Sequence, residues 1–329
     1  MSVLGEEADD DQDRRRIGFM SRLAVVTPTR NRPVELARLL QNLRGQSCLP
    51  ASVVVVDGSD PGIDCESVIR EERGFLDVHY LRHCPPSAAA QRNAGIAAVR
   101  DRVELIALVD DDVLLEPGCF ERAIGQIRKL PTDYIGFGLN RTDAEAQGGS
   151  GGWKVSWLAR RLGLYSDRTG AVAPSGWHTR FRTVSALTEV DWVPSEAVIW
   201  RATALRTLHF DEFFVRYSYL EDLDFSLEAR RLGRLVVLPD ARYEHHPAPH
   251  GRGSSFWFGK IELRNRSYIV RKHGLSRWRF GLGVCARMAL TLSELVRDRQ
   301  GALGRLAGNL VELPRLLGLR KRFAPDDRA

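Results

Sequence analysis

The sequence lacks the features that mark several large classes of protein. No stretch approaches the roughly 20 consecutive apolar residues that a membrane-spanning helix needs. The first twenty residues are acidic and then basic, without the apolar core of a signal peptide. The five cysteines are widely spaced and include no CxxC pair, so neither a disulfide framework nor a zinc knuckle is indicated. These absences predict a protein of the reducing cytoplasm that is not an integral membrane protein.

Two nucleotide-binding fingerprints are also missing. No GxGxxG follows the first apolar run, which excludes the dinucleotide-binding fingerprint, and no GxxxxGK[ST] is present, which excludes the P-loop. What remains is an ordinary globular composition, with 43% hydrophobic and 27% charged residues in a chain of 329. That length suits one large domain, or one domain with an appendage.

Charge is unevenly distributed along the chain. Residues 251–329 contain 17 Lys and Arg against 6 Asp and Glu, whereas residues 1–250 contain 31 against 36. An acidic main body argues against nucleic acid as a partner. A basic segment interleaved with tryptophan, phenylalanine and leucine is typical of a contact with an anionic membrane surface. It is also typical of a solvated face packed on its own domain, and both interpretations stay open.

The hydrophobic pattern divides the chain into three parts. Residues 1–20 lack apolar periodicity and are predicted to be a disordered tail. Over residues 21–250, short apolar and β-branched runs alternate with helical stripes, which predicts an α/β fold with a mostly parallel sheet flanked by helices. Residues 251–329 are predicted to form a basic, amphipathic helical extension. The predicted strands cover residues 23–27, 53–56, 77–81, 104–109 and 235–238.

Polar residues directly after the predicted strands are candidates for a binding site. Thr29 and Arg30 follow the first strand, Asp57 follows the second, and residues 110–112 follow the fourth. In open parallel sheets, ligands bind outside the carboxyl ends of the strands. We therefore expect these residues to share one crevice.

The run Asp110, Asp111 and Asp112 has two interpretations. On an extended segment, Asp110 and Asp112 would point to one side and Asp111 to the other. Two carboxylates, completed by diphosphate oxygens and water, suit a hard divalent ion such as Mg2+ or Mn2+. The alternative is a solvated acidic turn that caps the following helix.

Three residues further along could carry chemistry. Glu221 and Asp222 stand at the start of a helical stripe, where they either complement the helix dipole or supply a general base. His245 follows the last predicted strand and either adds an imidazole ligand to the same metal or is a surface histidine.

Taken in order, these segments resemble the family 2 glycosyltransferases of the GT-A fold. The resemblance covers roughly residues 23–246, about two thirds of the chain. It rests on VVTPTRNR at 25–32, VVVDGS at 54–59, AQRNAG at 90–95, LVDDD at 108–112, DWV at 191–193, FDEFF at 210–214, LEDLD at 220–224 and PDARYEH at 239–245. Each motif is weak alone, but the ordered set is specific.

The resemblance implies an inverting, metal-dependent transferase that moves a sugar from a nucleotide-diphospho-sugar to a hydroxyl acceptor. It implies Asp222 as the general base with support from Glu221, and Asp112 as the principal metal ligand, joined by Asp110 and His245. Trp192 and Glu196 would lie on the acceptor side. The residues that would bind the nucleotide sugar are Pro28, Thr29, Arg30, Asp57, Arg92, Asn93, Asp110 and Asp111.

The same resemblance suggests partners and a location. The donor would be a UDP-sugar or dTDP-sugar, and the acceptor a glycan or lipid-linked molecule of surface-polysaccharide or glycolipid assembly. The enzyme would be cytoplasmic, peripheral on the inner face of the cell membrane. Two departures matter: residues 194–197, PSEA, stand where many relatives have a glycine-containing turn, and the QxxRW motif of processive synthases is absent. Transfer of one or a few sugars is therefore expected.

Two alternative functions remain at this stage. Residues 108–113, LVDDDV, match the hhDxDx[TV] motif of haloacid-dehalogenase-type phosphohydrolases, in which Asp110 would be phosphorylated and Asp112 would act as acid and base. That motif normally ends the first strand of its fold, whereas here at least three elements precede it. The other alternative is a catalytically silent scaffold that binds a nucleotide sugar.

Overall fold

A computed structural model describes residues 23–142, 157–179, 181–215, 218–246 and 254–316. The predicted tail at residues 1–20 lies outside the described residues. Contacts divide the chain into two compact units, which are described separately. The first unit is drawn from residues 1–149 and 181–248, and the second from residues 150–180 and 249–329.

The first unit, over its described residues, is a nine-stranded sheet with helices between the strands. The strands are β1 Leu23–Thr29, β2 Ser52–Asp57, β3 Val78–Arg82, β4 Leu105–Val109, β5 Val113–Leu115, β6 Tyr134–Arg141, β7 Thr188–Val190, β8 Ala197–Arg201 and β9 Arg234–His245. The helices of this unit are α1 Pro33–Arg44, α2 Glu66–Glu72, α3 Ala88–Val99, α4 Cys119–Ile127 and α6 Glu221–Ala229, with a short 3-10 turn at Ala204–Arg206.

The strand order is β3-β2-β1-β4-β8-β6-β9-β5, and β7 pairs with β9. Strands β1 to β4 are mutually parallel where they pair, and β8 then runs antiparallel to both β4 and β6. The predicted α/β fold, a central sheet flanked by helices, is confirmed. The sheet is mixed, because parallel pairing in its first half gives way to antiparallel pairing around β8.

The parallel half follows from its sequence. Every residue of β2 is buried, as expected for a strand covered by helices on both faces. Helix α1 begins with Pro33, which suits the first turn of a helix, and it buries a leucine stripe against the sheet. In α3, a Cβ on Gly95 would lie 2.3 Å from the Val26 side chain, so glycine lets this helix approach β1 closely.

Strand β9 is longer than its apolar run. The sequence predicts a strand at 235–238, but β9 continues to His245 and pairs with β6, β7 and β5 along its length. Its last residue, His245, is the register partner of Val113. Because Val113 directly follows the three aspartates, this pairing brings His245, at the C-terminal end of β9, close to them.

The described part of the second unit is helical. Its helices are α5 Trp157–Arg161, α7 Ser255–Lys272, α8 Arg277–Glu294 and α9 Arg299–Leu316. A small apolar core includes Trp177, which stacks on Phe280 with 5.7 Å between ring centroids. Helices α7 and α9 approach so closely that a Cβ on Gly308 would lie 2.1 Å from the Phe256 carbonyl oxygen. Among the described residues, no helix has both the length and the apolar character to cross a membrane.

Candidate functional site

The strand ends bring the predicted polar residues together as parallel pairing requires. Thr29 and Asp57 are direct register partners at the ends of β1 and β2, and Asp110 follows β4, which pairs with β1 on its other side. Helix α3 contacts the ends of β1 and β2 through Gln91. Its side chain donates to the carbonyl oxygens of Thr29 and Val56, at 3.0 and 2.7 Å.

Asp57 is fully buried and its carboxylate is held by protein donors. One oxygen accepts from the Ser59 backbone N–H at 2.7 Å. The other accepts from the Tyr80 hydroxyl at 2.8 Å and from Arg82 Nη1 at 2.9 Å. Arg82, which is 40% exposed, carries the positive charge of this group towards solvent. Contact of Asp57 with a nucleotide base stays a prediction.

Thr29 and Arg32 enclose Asp111. The Thr29 hydroxyl donates to Asp111 Oδ2 at 2.8 Å, and Arg32 Nη1 donates to Asp111 Oδ1 at 2.9 Å. Burial raises the pKa of Asp111 to about 7, and the positive charge of Arg32 and the Thr29 hydrogen bond oppose that rise. Asp111 therefore points inwards, towards the end of β1.

The prediction of an extended segment at residues 110–112 is wrong. Asp111 and Asp112 lie in a turn, and the Val113 N–H donates to the Asp110 carbonyl oxygen at 3.2 Å. A turn does not alternate its side chains, so the three carboxylates meet different partners. Asp110 faces α3, Asp111 faces β1, and Asp112 faces the end of β9.

Arg92 links the end of β4 to the start of α6. Its guanidinium donates to Asp110 Oδ1 at 2.7 Å and also to Glu221 Oε1. Burial lowers the pKa of Arg92, but the carboxylates of Asp110 and Glu221 outweigh it and leave the pKa raised. Burial raises the pKa of Glu221, and Arg92 opposes that rise. Arg92 thus fixes two carboxylates from distant segments on one cation.

Asp222 stands in the first turn of α6, next to this ion pair. Its side chain is partly buried, and its Oδ1 accepts from the Leu223 backbone N–H at 2.8 Å. Burial raises the pKa of Asp222 to about 6, while the Leu223 hydrogen bond and Arg92 lower it. Leu220 enters the helix with φ of +72°, in the left-handed region that a branched side chain rarely adopts. A carboxylate with a pKa near neutrality suits proton transfer.

His245 lies between two carboxylates. Its Nε2 is 3.2 Å from Asp112 Oδ1, and its Nδ1 is 3.3 Å from Glu196 Oε2. Burial lowers the pKa of His245, but the hydrogen bond with Asp112 and the charge of Glu196 leave it raised. Asp112 also lies 3.4 Å from Arg32 Nη1.

Asp112 and His245 fit a divalent metal whose coordination is completed by the substrate. Within the part of the chain that the structure describes, no group of three His, Cys, Asp or Glu residues is arranged to hold a metal by itself. A carboxylate and an imidazole side by side supply the O and N donors that Mn2+ accepts. Such ions commonly complete their coordination with substrate phosphates and water. Asp110 is turned towards Arg92 instead, with its side chain 27% exposed.

Glu196 lies behind His245. Besides that contact, its Oε1 accepts from the Tyr243 hydroxyl at 2.7 Å and lies 3.4 Å from Arg141 Nη1. Its backbone carbonyl accepts from the Asp110 N–H at 2.9 Å. These contacts support His245 and the aspartate turn, and a role of Glu196 on the acceptor side stays a prediction.

Other predicted site residues lie in less open surroundings. Asn93 exchanges two hydrogen bonds with the backbone of Phe210, at 2.9 and 2.8 Å, so its amide joins α3 to the segment before α6. Trp192 is buried and packs edge-on against Phe181, with 4.9 Å between ring centroids. Binding roles for both residues stay predictions.

The two remaining predicted residues lie at the end of β1. Pro28 is half-buried in the strand, opposite Val56. Arg30 is exposed and pairs with Asp60 at 3.2 Å. Both are at the crevice edge, where a nucleotide would lie in this fold.

Sequence reasoning gave no role to several residues that shape the site. Arg32 and Gln91 gain their importance from partners distant in the chain. Tyr80 and Arg82 also belong here, because they alternate along β3 and both reach Asp57. For Arg32 and Arg82 the signal in the sequence is a basic residue at or shortly after the end of a strand.

Comparisons with known proteins agree with this architecture. The sequence model of Glycosyl transferase family 2 matches residues 24–181. No curated protein matches the chain by sequence.

Solved structures share the fold at low sequence identity. TarS residues 1–349 from S. aureus is 17% identical, with a TM-score of 0.52, covering 89% of this chain and 81% of that one. The mannosyltransferase PcManGT from Pyrobaculum calidifontis is 12% identical, with a TM-score of 0.53, covering 91% and 88%. GalNAc-T7 is 14% identical, with a TM-score of 0.56, covering 77% and 48%. The chain spans 43% of a longer TarS chain.

The sequence match and the structural matches agree on the fold. The matched residues 24–181 include β1, β2 and the aspartate turn, and the structural neighbours show that the fold of the whole sheet is GT-A. Residues 24–181 therefore match the family 2 glycosyltransferases, and the chain has the GT-A fold.

Proposed function

We propose that the first unit transfers a sugar from a nucleotide-diphospho-sugar to a hydroxyl acceptor, with inversion at the anomeric carbon. The observation that carries this proposal is the Arg92 bridge between Asp110 and Glu221. It places Asp222, a carboxylate of raised pKa, beside the strand-end crevice in which ligands bind in such folds.

In this proposal Asp222 takes the proton from the acceptor hydroxyl as that oxygen attacks the sugar. The attack comes from the face opposite the nucleotide diphosphate, and the bond from the anomeric carbon to the diphosphate breaks. Glu221, held by Arg92, fixes the first turn of α6 and thereby the position of Asp222. Geometric control of this kind is a large part of catalysis by proximity.

Asp112 and His245 would hold the divalent metal, Mn2+ or Mg2+. When bound, such an ion offsets the negative charge that develops on the leaving diphosphate. Arg32, 2.9 Å from Asp111 and 3.4 Å from Asp112, limits the net charge of the aspartate turn before donor and metal arrive. Support comes from two structural neighbours, PcManGT and GalNAc-T7, which are complexes that contain Mn2+.

The donor is proposed to be a UDP-sugar or dTDP-sugar. Structural neighbours occur in complexes with UDP, with UDP-GlcNAc and with GDP-Man. We place the base near Pro28 and Asp57 and the ribose and diphosphate near Asp110, with Arg30, Asn93 and Asp111 at the border. The acceptor is proposed to be a glycan or a lipid-linked molecule of envelope assembly. The proposed setting is the cytoplasmic side of the cell membrane.

Ligand-induced stabilisation tests the proposal. The purified protein is heated with UDP-, dTDP- or GDP-sugars, each with Mn2+ or with EDTA, and its Tm is recorded. A ligand at 100 times its Kd adds roughly 2.7 kcal/mol, which raises Tm by several degrees for a protein of this size. We expect one nucleotide class to stabilise the protein, and more strongly with Mn2+.

Metal alone and free phosphate serve as controls for this experiment. Stabilisation by none of the three nucleotide classes would contradict the proposal. Donor binding without any transfer to a panel of hydroxyl acceptors would favour the silent scaffold instead. The phosphohydrolase alternative is disfavoured by the family match and by β4 being the fourth strand of the sheet in chain order.

Glu196 provides a sharper test of the proposed metal site. Because Glu196 Oε2 faces His245 Nδ1 at 3.3 Å, it orients the imidazole so that Nε2 faces Asp112. Residues behind metal ligands typically contribute 10- to 100-fold in metal affinity. We expect Glu196→Gln to weaken Mn2+ binding about tenfold or more. The affinity is measured by calorimetry with the donor diphosphate present. The control Asp240→Asn, at an exposed position in the middle of β9, should leave the affinity unchanged. Equal affinities in both variants would show that Glu196 does not support His245.

A further inference from the structure

Helix α8, Arg277–Glu294, turns an apolar face outwards. The residues that it buries in the second unit are Phe280, Gly283, Val284, Arg287 and Thr291. Its outward stripe continues two residues past the helix end to Val296 and consists of Trp278, Leu282, Cys285, Ala289, Leu292 and Val296. Trp278 is 59% exposed, Leu292 50% and Val296 93%. We call these six residues the α8 stripe.

The buried face of α8 holds its polar groups by internal contacts. Arg287 Nη2 lies 3.2 Å from both carboxylate oxygens of Glu294, and the Thr291 hydroxyl donates to the Arg287 carbonyl oxygen at 3.0 Å. Gly283 lets the helix lie against the Trp177 ring, since a Cβ there would be 2.4 Å from that ring. The helix is therefore seated without using the α8 stripe. A contiguous apolar surface of this kind marks an interaction site.

Positive charge lies at both ends of the α8 stripe. Arg277 is exposed at its start, and Arg297 and Arg299 are exposed at its end. The acidic residues close by are engaged: Glu294 binds Arg287, and Asp298 accepts from the Gly301 N–H at 2.9 Å at the start of α9. Residues 251–329 as a whole carry 17 basic against 6 acidic residues. The occupant of this surface must be apolar in its middle and anionic at both ends.

We propose that the α8 stripe lies in the interface of an anionic lipid bilayer. At 1.5 Å per residue, residues 278–296 extend about 27 Å, which suits a helix lying in the membrane plane with its arginines at the lipid headgroups. The Trp278 ring, apolar with one polar edge, suits the same depth. A second copy of the chain fits less well, because both ends of the stripe are positive and either orientation of two copies would oppose like charges.

Vesicle binding tests this surface on the full-length protein. We expect co-sedimentation with vesicles of phosphatidylcholine and phosphatidylglycerol, and weak or no binding to phosphatidylcholine alone. The double variant Leu282→Glu/Leu292→Glu should reduce the partition coefficient at least tenfold. Both positions are solvent-exposed, so folding should be retained, as checked by circular dichroism and Tm. Raising the salt concentration should weaken binding by the wild type, because charge attraction is screened.

A matched control separates the α8 stripe from charge in general. Val34→Glu/Leu232→Glu adds the same two negative charges at exposed apolar positions of the first unit, 76% and 54% exposed, and should bind vesicles like the wild type. Equal loss in both double variants, or undiminished binding by Leu282→Glu/Leu292→Glu, would overturn the proposal. The proposal would also be overturned if the wild type were a dimer, Leu282→Glu/Leu292→Glu were a monomer, and neither protein bound vesicles. Transfer to a water-soluble acceptor should be unchanged in the variant, which keeps this result separate from the sugar chemistry.

Discussion

Asp222→Asn is expected to abolish most sugar transfer while donor binding survives. Asparagine has nearly the same shape and can still accept the Leu223 N–H hydrogen bond, but it cannot take a proton from the acceptor. Loss of a general base costs typically 10²- to 10⁴-fold in rate. The rate is measured with donor in excess, and donor affinity is measured separately by calorimetry.

The pH dependence of the wild type should agree with this role. The pKa of Asp222 is raised to about 6, because burial and the charges of Glu196 and Asp110 together outweigh the Leu223 hydrogen bond and Arg92, which lower it. A general base works unprotonated, so kcat/KM should fall as the pH is lowered through about 6. Because the raised pKa means that ionisation of Asp222 opposes folding, Asp222→Asn should raise Tm at pH 8 and have little effect at pH 4.

Glu228→Gln is the control for Asp222→Asn. Glu228 is on the same helix and pairs with the exposed Arg231 at 3.2 Å, so its loss removes a carboxylate without touching the crevice. Transfer by Glu228→Gln should stay within a few-fold of the wild type. If Asp222→Asn retained most of the wild-type rate, another group would have to be the base.

Asp112→Ala is expected to remove the effect of metal on donor binding. In the wild type, Mn2+ should tighten binding of the nucleotide-diphospho-sugar, because the diphosphate oxygens complete the coordination of the metal. Without the Asp112 carboxylate, His245 is the one remaining member of the pair that we assign to the metal. The donor Kd of the variant, measured by calorimetry, should be the same with Mn2+ and with EDTA.

Asp240→Ala removes an exposed carboxylate from the middle of β9, where Asp240 Oδ2 accepts from Gln126 at 2.8 Å. This control should keep the full response to Mn2+. A variant Asp112→Ala that still responded to Mn2+ like the wild type would place the metal elsewhere. Circular dichroism at 25 °C distinguishes a lost site from a lost fold, since Asp112 also contacts Arg32.

The sequence determined the fold class and the edge of the sheet at which the candidate site residues meet. Continuous apolar runs such as residues 53–56 predict buried strands, because a strand covered on both faces needs apolar side chains throughout. Parallel pairing then places Thr29, Asp57 and Asp110 at one edge without further information.

The tertiary structure decided which partner each side chain has. Asp110 and Asp111 are adjacent, yet one binds Arg92 and the other binds Thr29 and Arg32, because the chain turns there instead of staying extended. Glu221 and Arg92 are 129 positions apart, and their contact exists only after α3 and α6 pack on the same sheet. No local sequence pattern predicts a contact between residues so far apart in the chain.

The same distinction applies to the end of β9 and to α8. Residues 239–245 are too polar to be read as a strand, but pairing with β5 extends β9 and carries His245 to Asp112. The sequence predicts an amphipathic helical extension over residues 251–329, but periodicity alone does not say whether its apolar stripe faces the core or the solvent. That depends on which face the neighbouring helices cover, and here they cover the face of Arg287 and Thr291. Local spacing and polarity are properties of the sequence, whereas burial and pairing arise from packing between segments that are distant along it.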